Sequence, residues 1–280
     1  MNIQSAIING TKILKSKQIS TAQLDSEILM MKVIGKNRKY IILNNDKNLK
    51  LNKLNEFNEL IKERSNRKPI AYILNTKHFW KYKFRVTKDT LIPRPDSEIL
   101  IEEVLKITKN KNKISILDIG VGSGCLLISI LKERKNFHGV GIDINKNCLN
   151  ISKINANKHN VDNRIKFYKS DVDKFVLGKY DLIVSNPPYI NKFKIKYLER
   201  DVSRFEPVLA LNGGLDGLSE IRKVIKKSSE LIKSNGKFVL EIGFDQKNKT
   251  INLLKEKGFY INGVSKDLAK NNRCIVSTKI

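Results

Sequence analysis

The sequence predicts an α/β fold, a doubly wound sheet, that follows a small helical domain. From residue 114 onward, short runs of β-branched residues alternate with helix-like patterns, as in sheets whose strands are joined by helices. The first of these runs ends in a glycine-rich turn at residues 120–124, where the chain can bend tightly. Residues 1–66, by contrast, carry apolar residues at helical spacing and show no strand pattern.

Residues 1–66 are predicted to form a small all-α domain. Three apolar stripes follow the helical period, separated by breaks near Gly35 and Asn44. The stripes comprise Ile3, Ala6, Ile7, Ile13 and Leu14; Leu24, Ile28, Leu29 and Met31; and Leu51, Leu54, Phe57, Leu60 and Ile61. No set of catalytic side chains occurs in this segment, so we expect it to serve packing or recognition.

Residues 67–92 are predicted to form a β-hairpin that joins two domains. Aromatic and β-branched residues alternate loosely with polar ones there, as in paired strands. The apolar positions are Tyr72, Ile73, Phe79, Trp80, Tyr82, Phe84 and Val86.

Residues 93–280 are predicted to form the sheet domain. Its first helix begins near Pro95, because proline suits the first turn and the acids that follow complement the exposed amides. Strands are predicted over residues 114–119, 140–144, 165–168, 181–185 and 238–242, with a closing hairpin around 260–264 and 273–277. Helices separate the strands, and a long loop covers residues 186–216.

The composition favours a folded protein of the cytoplasm. With 280 residues, 40% of them hydrophobic, the chain can bury a sizeable core and has room for two domains. No run reaches the ~18–20 apolar residues of a membrane span, and the first residues lack the layout of a signal peptide. Three widely spaced cysteines and three isolated histidines argue against disulfides and metal sites. We therefore expect no metal and no membrane association.

The formal net charge of +26 has two explanations. One is a polyanionic partner, which would give a weak attraction to RNA or the ribosome. The other is compositional drift, because lysines greatly outnumber arginines and are scattered among asparagine and isoleucine. A dedicated nucleic-acid surface more often clusters arginine. The compositional explanation is favoured.

A proline-stiffened corner follows the strand at residues 181–185. Its apolar run ends at Asn186, and Pro187 and Pro188 can donate no hydrogen bond to a sheet. The Asn186 amide oxygen and the Pro187 carbonyl are therefore two neighbouring acceptors at the carboxyl end of a strand, where α/β sheets bind ligands. They suit an –NH2 group, and Tyr189 adds an aromatic face suited to a sulfonium. Taken alone, the same residues could form a simple turn.

Acidic residues end the three preceding strands of the predicted sheet. Asp118 stands at the glycine turn and would suit an ammonium group, and Asp143 could accept hydrogen bonds from ribose hydroxyls. Asp171 and Val172 follow the third strand, near where an adenine edge would lie. The turn lacks the full dinucleotide fingerprint and any P-loop lysine. Ammonium, ribose and adenine in this order indicate S-adenosyl-L-methionine, although each acid alone could be a solvated strand end.

Arg94 precedes the first helix of the sheet domain. Its most direct interpretation is a pair with a carboxylate in this same turn, and this is favoured over a role in catalysis.

With these residues in hand, the chain resembles the bacterial release-factor glutamine methyltransferases, a family of the class I S-adenosylmethionine-dependent methyltransferases. The resemblance spans nearly the whole chain. It is carried by residues 91–98, 118–124, 186–189, 205–207 and 211–218. The Asn-Pro-Pro-Tyr element also occurs in enzymes that methylate amino groups of bases, so its combination with the other runs is what narrows the family.

The resemblance implies a seven-stranded Rossmann-like methyltransferase domain at 93–280, joined by a β-hairpin linker at 67–92 to an all-α domain at 1–66 that recognises release factors. Members transfer a methyl group from S-adenosyl-L-methionine to the side-chain amide nitrogen (N5) of the glutamine in the Gly-Gly-Gln motif of class 1 peptide-chain release factors. S-adenosyl-L-homocysteine is the product. We expect a monomer.

The resemblance also implies the site residues. With Asp118, the cofactor site is expected to comprise Gly120, Val121, Gly122, Ser123, Gly124, Asp143, Asp171, Val172 and Asn186. The glutamine is expected at Asn186, Pro187, Pro188 and Tyr189, with Asn186, Pro187 and Tyr189 as catalytic residues. Two departures are Asn75, where relatives usually carry glycine, and Val172, where some carry a bulkier residue.

Three other functions fit parts of the pattern. A glutamine methyltransferase of a ribosomal protein would share nearly all of it, and an amino-group methyltransferase of RNA or DNA bases would share the Asn186 corner. A non-catalytic RNA-binding protein with a vestigial fold would fit the charge. The runs at 91–98 and 213–217 favour the protein-directed enzyme.

Overall fold

The computed structural model describes residues 1–280, which form two compact units. The first comprises Met1–Asn75 together with Glu199–Phe205, and the second comprises Thr76–Leu198 with Glu206–Ile280. The chain thus leaves the second unit after Leu198, contributes a short segment to the first, and returns at Glu206.

The first unit is helical. Its helices are α1 Ile3–Ser16, α2 Ala22–Ile34, α3 Arg38–Leu43, α4 Leu51–Ser65 and α5 Ile70–Leu74. Asn2 and Asn37 cap α1 and α3, because the side-chain oxygen of each accepts a backbone N–H in the first turn. Leu14, Leu29 and Phe57 lie in its buried apolar core.

The second unit contains a hairpin, a large sheet and the helices that cover it. The hairpin consists of β1 Thr76–Phe79 and β2 Tyr82–Arg85. The sheet strands are β3 Ser115–Ile119, β4 His138–Asp143, β5 Ile165–Lys169, β6 Tyr180–Ser185, β7 Ile232–Glu241, β8 Phe259–Lys266 and β9 Asn272–Lys279. The helices are α6 Glu98–Ile107, α7 Cys125–Glu133, α8 Lys146–Lys158, α10 Ser219–Leu231 and α11 Lys247–Glu256; α9 is Arg200–Phe205, in the segment that joins the first unit.

The seven-stranded sheet has the order β5-β4-β3-β6-β7-β9-β8. Strands β3 to β7 are parallel, and β9 runs antiparallel to both β7 and β8. The order reverses between β3 and β6, so the loops after these neighbouring strands diverge and leave a crevice at their carboxyl ends. The predicted α/β fold with a seven-stranded sheet and a helical N-terminal region is confirmed.

The middle of the central strands is apolar on both faces of the sheet, so both faces are buried. Leu182 and Val184 of β6 lie in one buried cluster, and Ile183 between them lies in the other. Covering helices are therefore required on both sides, and the polar residues that end the strands are held at the rim.

Some local expectations are wrong. Tyr72 and Ile73, which the alternating pattern places in the hairpin, lie in helix α5. The predicted loop 186–216 contains α9 and two 3₁₀ turns, Lys192–Tyr197 and Val208–Ala210.

Asn75, at the position where the family resemblance implied glycine, ends α5 in the left-handed conformation with φ +56°. Asparagine tolerates this conformation better than most residues, so the substitution preserves the turn. None of the helices combines the length and the apolar composition needed to cross a bilayer.

Candidate active site

A cavity of about 370 Å³ opens at the carboxyl ends of the parallel strands, within the size range of small-molecule sites. The loops that follow β3, β4, β5 and β6 all contribute to its wall. Of the sequence-predicted residues, the cavity is lined by Gly120, Gly122, Asp143, Asp171, Val172, Asn186, Pro187 and Pro188. The first turns of α10 also contribute, and the remaining lining includes Asp89, Leu91, Cys148, Pro207, Leu209, Ala210 and Asn212.

The turn after β3 exposes backbone to the cavity. Gly120 has φ +78°, and nothing lies within 4 Å of the position that a Cβ atom would occupy. The Gly120 and Val121 amides both donate to the Ile142 carbonyl at 2.9 Å, which fixes the bend. A ligand can therefore approach the main chain closely at Gly120.

Asp143 ends β4 with both carboxylate oxygens anchored. Oδ2 accepts a hydrogen bond from the Gly122 amide at 3.0 Å, and Oδ1 accepts one from the Asn145 amide at 2.8 Å. Burial raises the pKa of the Asp143 carboxyl, and the two amide bonds oppose that rise. Each carboxylate oxygen keeps further accepting capacity, which suits a pair of neighbouring hydroxyls.

The loop after β5 provides a second acidic wall. Asp171 Oδ1 accepts a hydrogen bond from the Asp173 amide at 3.0 Å and so opens a 3₁₀ turn. Val172 is half-buried against the apolar cluster of that sheet face and lines the cavity. Ile144, which the sequence reasoning did not single out, also lines the cavity although its side chain is exposed.

Four predicted cofactor residues lie behind the wall rather than in it: Asp118, Val121, Ser123 and Gly124 are absent from the lining. Asp118 is only 1% exposed, and burial raises its pKa to about 7, opposed by the nearby Leu127 amide, which does not reach hydrogen-bond geometry with either carboxylate oxygen. The role of Asp118 toward an ammonium group stays a prediction.

In the corner after β6, the side-chain amide oxygen of Asn186 faces away from the protein's own hydrogen-bond donors. Asn186 Nδ2 donates to the Ser97 hydroxyl at 3.1 Å, so Oδ1 is the group left for the cavity that Asn186 lines. Pro187 and Pro188 lie beside it in the wall. The Tyr189 hydroxyl instead donates to Glu241 Oε1 at 3.1 Å, and Tyr189 is not part of the lining. Its predicted contact with the substrate stays a prediction.

The segment 211–217 supports this corner. The Ile190 amide donates to the Leu211 carbonyl at 3.0 Å, and the Gly213 amide donates to the Ile190 carbonyl at 2.8 Å. Gln246 Nε2 bridges the Tyr189 and Gly217 carbonyls at 2.9 and 3.0 Å. The corner is thus fixed by backbone contacts from two other loops.

Comparison with known proteins identifies the family. The description "PrmC N-terminal domain" matches residues 5–74, and "Methyltransferase small domain" matches residues 95–216. The release factor glutamine methyltransferase of Clostridium botulinum is 40% identical over 282 residues, with all of both chains covered. This chain belongs to the release factor glutamine methyltransferase family.

Further relatives agree with this assignment. The release factor glutamine methyltransferase of Buchnera aphidicola is 37% identical over 279 residues, covering 100% of this chain and 99% of its own. Among solved structures, a ribosomal protein L11 methylase from Lactobacillus delbrueckii has a TM-score of 0.51 at 19% identity and covers 73% of this chain and 90% of its own. The latter likeness shows the fold.

In this family member, Arg94 has a structural partner. Its guanidinium forms an ion pair with Glu206, whose other carboxylate oxygen accepts from the Ile92 amide at 3.2 Å. The prediction that Arg94 pairs with a carboxylate is confirmed, but the expectation of a partner in the same turn is wrong. Because Pro207 lines the cavity immediately after Glu206, the pair ties two parts of the wall together.

Sequence reasoning missed three residues behind the corner: Ser97, Glu241 and Gln246. Glu241 carried a usable signal, because it is an acid at the carboxyl end of a buried strand, as Asp118 and Asp143 are. Ser97 lies within a run that indicated the family, but nothing local gave it a role. Gln246 follows β7 in a loop without pattern.

Gly217→Ala is expected to lower the methylation rate by about tenfold or more. Gly217 has φ +76°, and an added Cβ atom would lie 2.6 Å from the Tyr189 carbonyl oxygen. The strain of about 1–3 kcal/mol would be relieved by displacement of the corner. Gly35→Ala is the matched control, since Gly35 has φ +71° and open space around it. Steady-state kinetics should show the loss for Gly217→Ala alone; equal rates for both variants would contradict this role.

Proposed function

We propose that this chain transfers a methyl group from S-adenosyl-L-methionine to the side-chain amide nitrogen of the glutamine in the Gly-Gly-Gln motif of class 1 peptide-chain release factors. The observation that carries the proposal is the Asn186 corner, whose amide oxygen is left for the cavity while its nitrogen bonds to Ser97. Full-length relatives named for this activity support it.

The residues of the cavity fit the cofactor. Asp143 offers two anchored oxygens to the ribose hydroxyls, and Asp171 with Val172 forms a wall suited to adenine. The open space beside Gly120 lets a ligand approach the backbone. When bound, S-adenosyl-L-methionine supplies an activated methyl group on a sulfonium.

The chain's own contribution is orientation and charge stabilisation. An amide nitrogen is a poor nucleophile because its lone pair is delocalised into the carbonyl. We infer that Asn186 Oδ1 and the Pro187 carbonyl accept its two N–H groups, fix its direction and stabilise the positive charge that develops on it. As the nitrogen–carbon bond forms, the bond between the methyl group and the sulfonium would break, which leaves the neutral thioether of S-adenosyl-L-homocysteine. One of the two amide protons would pass to water, and no strong base is required beside the nitrogen.

Mass spectrometry tests the proposal most simply. A release factor is digested after incubation with S-adenosyl-L-methionine, with and without the enzyme. We expect the Gly-Gly-Gln peptide to gain the mass of one methyl group on its glutamine only when the enzyme is present. Transfer to a ribosomal-protein glutamine or to RNA under the same conditions, with the release factor unmodified, would contradict it.

Asp143→Asn is expected to weaken binding of S-adenosyl-L-homocysteine about tenfold or more. The amide loses the negative charge and one accepting oxygen, and a hydrogen bond to a charged group contributes about 1.5–3 kcal/mol. Isothermal titration calorimetry measures the affinity. Asp162→Asn is the control, because Asp162 is exposed and outside the cavity. Unchanged affinity in Asp143→Asn would remove Asp143 from the cofactor site.

We further propose that the chain acts as a cytoplasmic monomer whose residues 1–66 recognise the release factor, with 67–92 as a linker and 93–280 as the methyltransferase domain. The net charge of +26 would add only a weak, salt-dependent attraction to the ribosome or RNA. Light scattering after size-exclusion chromatography tests the monomer, and ribosome co-sedimentation across a salt series tests the attraction.

A further inference from the structure

A buried carboxylate lies directly behind the Asn186 corner. Glu241, the last residue of β7, is 2% exposed. Its Oε1 accepts the hydrogen bond from Tyr189, and its Oε2 has no partner at hydrogen-bond geometry. The Ser97 hydroxyl, which accepts from Asn186, lies close enough to this carboxylate to lower the pKa of Glu241. Burying a charged carboxylate costs free energy unless hydrogen-bond donors surround it, so the buried position of Glu241 requires a structural reason.

Hydrogen-bond direction provides the explanation. A serine hydroxyl has one hydrogen to donate. If that hydrogen points to Glu241, Ser97 Oγ can only accept from Asn186, as it does from Nδ2 at 3.1 Å. The Asn186 oxygen is then forced toward the cavity. If the hydroxyl pointed to Asn186 instead, the amide would reverse and present a donor to the substrate nitrogen.

We propose that Glu241 is a positioning residue that acts through Ser97 to keep the Asn186 oxygen directed at the substrate amide. The inference rests on the proposed methylation of glutamine and adds to it how the acceptor is oriented. Glu241 does not contact the substrate; it selects one of the two orientations of a side chain that does.

Arg273 fixes the other end of this network. Its Nη1 donates to the Tyr189 oxygen at 3.3 Å, and its guanidinium is itself paired with Asp267 at 2.9 Å. Because the Tyr189 oxygen already accepts from Arg273, its hydrogen is directed to Glu241. The carboxylate therefore accepts from Tyr189 through Oε1, and we assign the Ser97 hydrogen to its unpartnered Oε2.

The charge state of Glu241 should control the network. Burial raises the pKa of Glu241 to about 7, opposed by Ser97, Arg273 and Tyr189, and Asp96 adds to the rise. Cys274 is its cross-strand neighbour on β9. A protonated Glu241 could donate to Ser97 and so allow the Asn186 amide to reverse. The methylation rate should therefore increase as the pH rises through about 7.

Glu241→Gln tests the proposal without changing the shape of the side chain. Tyr189 needs an acceptor, so the new amide oxygen should face Tyr189 and the new NH2 group should face Ser97. Ser97 would then donate to Asn186 and reverse its amide. We expect kcat to fall about 10²-fold, the scale of one preorganised polar contact, and to lose the wild-type dependence on pH near 7. The affinity for S-adenosyl-L-homocysteine should stay within about twofold of wild type.

Two further variants distinguish a relay through Ser97 from misfolding or an indirect effect of the Glu241 substitution. Ser97→Ala removes the acceptor of Asn186 Nδ2 and should lower kcat about tenfold, with little added loss when combined with Glu241→Gln. Glu103→Gln is the matched control. Glu103 accepts a hydrogen bond from the Ser265 hydroxyl at 2.8 Å, and it does not line the cavity. It should leave kcat unchanged.

The outcomes distinguish the positioning role of Glu241 from the proposed methylation activity on which it rests. Wild-type methylation of the Gly-Gly-Gln peptide with equal kcat and equal pH profile in Glu241→Gln would overturn the positioning role alone. Independent, multiplicative losses in the Ser97 and Glu241 variants would overturn the relay through Ser97. Failure of the wild-type enzyme to methylate the peptide would overturn the proposed function instead.

Discussion

Asn186→Ala is expected to lower the kcat of glutamine methylation by about 10²–10³, the largest catalytic effect of any single substitution in this site. The substitution removes the side-chain acceptor of the corner, while Pro187 keeps only a backbone carbonyl. The substrate nitrogen would lose half of the pair that orients it, and the developing positive charge would lose its nearest compensating dipole. Single-turnover assays with a release factor and labelled cofactor measure the chemical step directly.

The controls for Asn186→Ala distinguish chemistry from binding. Affinity for S-adenosyl-L-homocysteine should change far less than the rate, because Asp143 and the glycine turn remain in place. Asn157→Ala, at an exposed position of α8, should retain the wild-type rate. A wild-type kcat in Asn186→Ala would show that the corner does not orient the nucleophile.

Arg64→Met is expected to destabilise the first unit by about 3–5 kcal/mol, the largest stability effect that the structure indicates. Arg64 bonds to Asp25 through Nε and to Asp201 of α9 through Nη1, each at 2.7 Å. The side chains of Arg64 and Asp25 are only 6% and 4% exposed. Methionine fills similar volume but leaves the deeply buried Asp25 without its cation, while Asp201 keeps only a longer pair with Arg67 at 3.8 Å.

An exposed ion pair in the same unit provides the control for Arg64→Met. Arg38 bonds to Glu27 at 2.8 Å, but its side chain is 60% exposed. Exposed pairs contribute about 0–1 kcal/mol, so Arg38→Met should scarcely change the free energy of unfolding. Urea denaturation followed by circular dichroism measures both variants. Equal, small effects would show that the pair with Asp25 and Asp201 does not stabilise the unit.

The strands and site residues that could be predicted are those marked by a pattern of neighbouring residues in the sequence. The apolar run of β6 and the two prolines after it specify both the strand and its stiff end, and the acids at the ends of β3, β4 and β5 follow from the same periodicity. These features place Asp143, Asp171 and Asn186 on one rim of the sheet, because parallel strands end together.

The elements that escaped prediction depend on contacts between distant segments. Ser97, Glu241 and Gln246 meet the corner only after the sheet has formed. Glu241 has the signal of an acid at a strand end, but nothing in the local sequence indicates that it lies beside Ser97 and Tyr189. Helical spacing likewise indicated which residues share one face of a helix, but not which of them pack against another helix. Leu51 is 72% exposed, whereas Phe57 in the same stripe is buried. The assignment of Glu199–Phe205 to the first unit has no local signal at all.

A crystal structure of this enzyme with S-adenosyl-L-homocysteine and a Gly-Gly-Gln peptide tests the central claim most directly. We expect the glutamine side-chain nitrogen to lie within hydrogen-bond distance of both Asn186 Oδ1 and the Pro187 carbonyl oxygen, facing the sulfur of the cofactor product. A glutamine bound elsewhere, or an Asn186 that presents Nδ2 to it, would contradict the account.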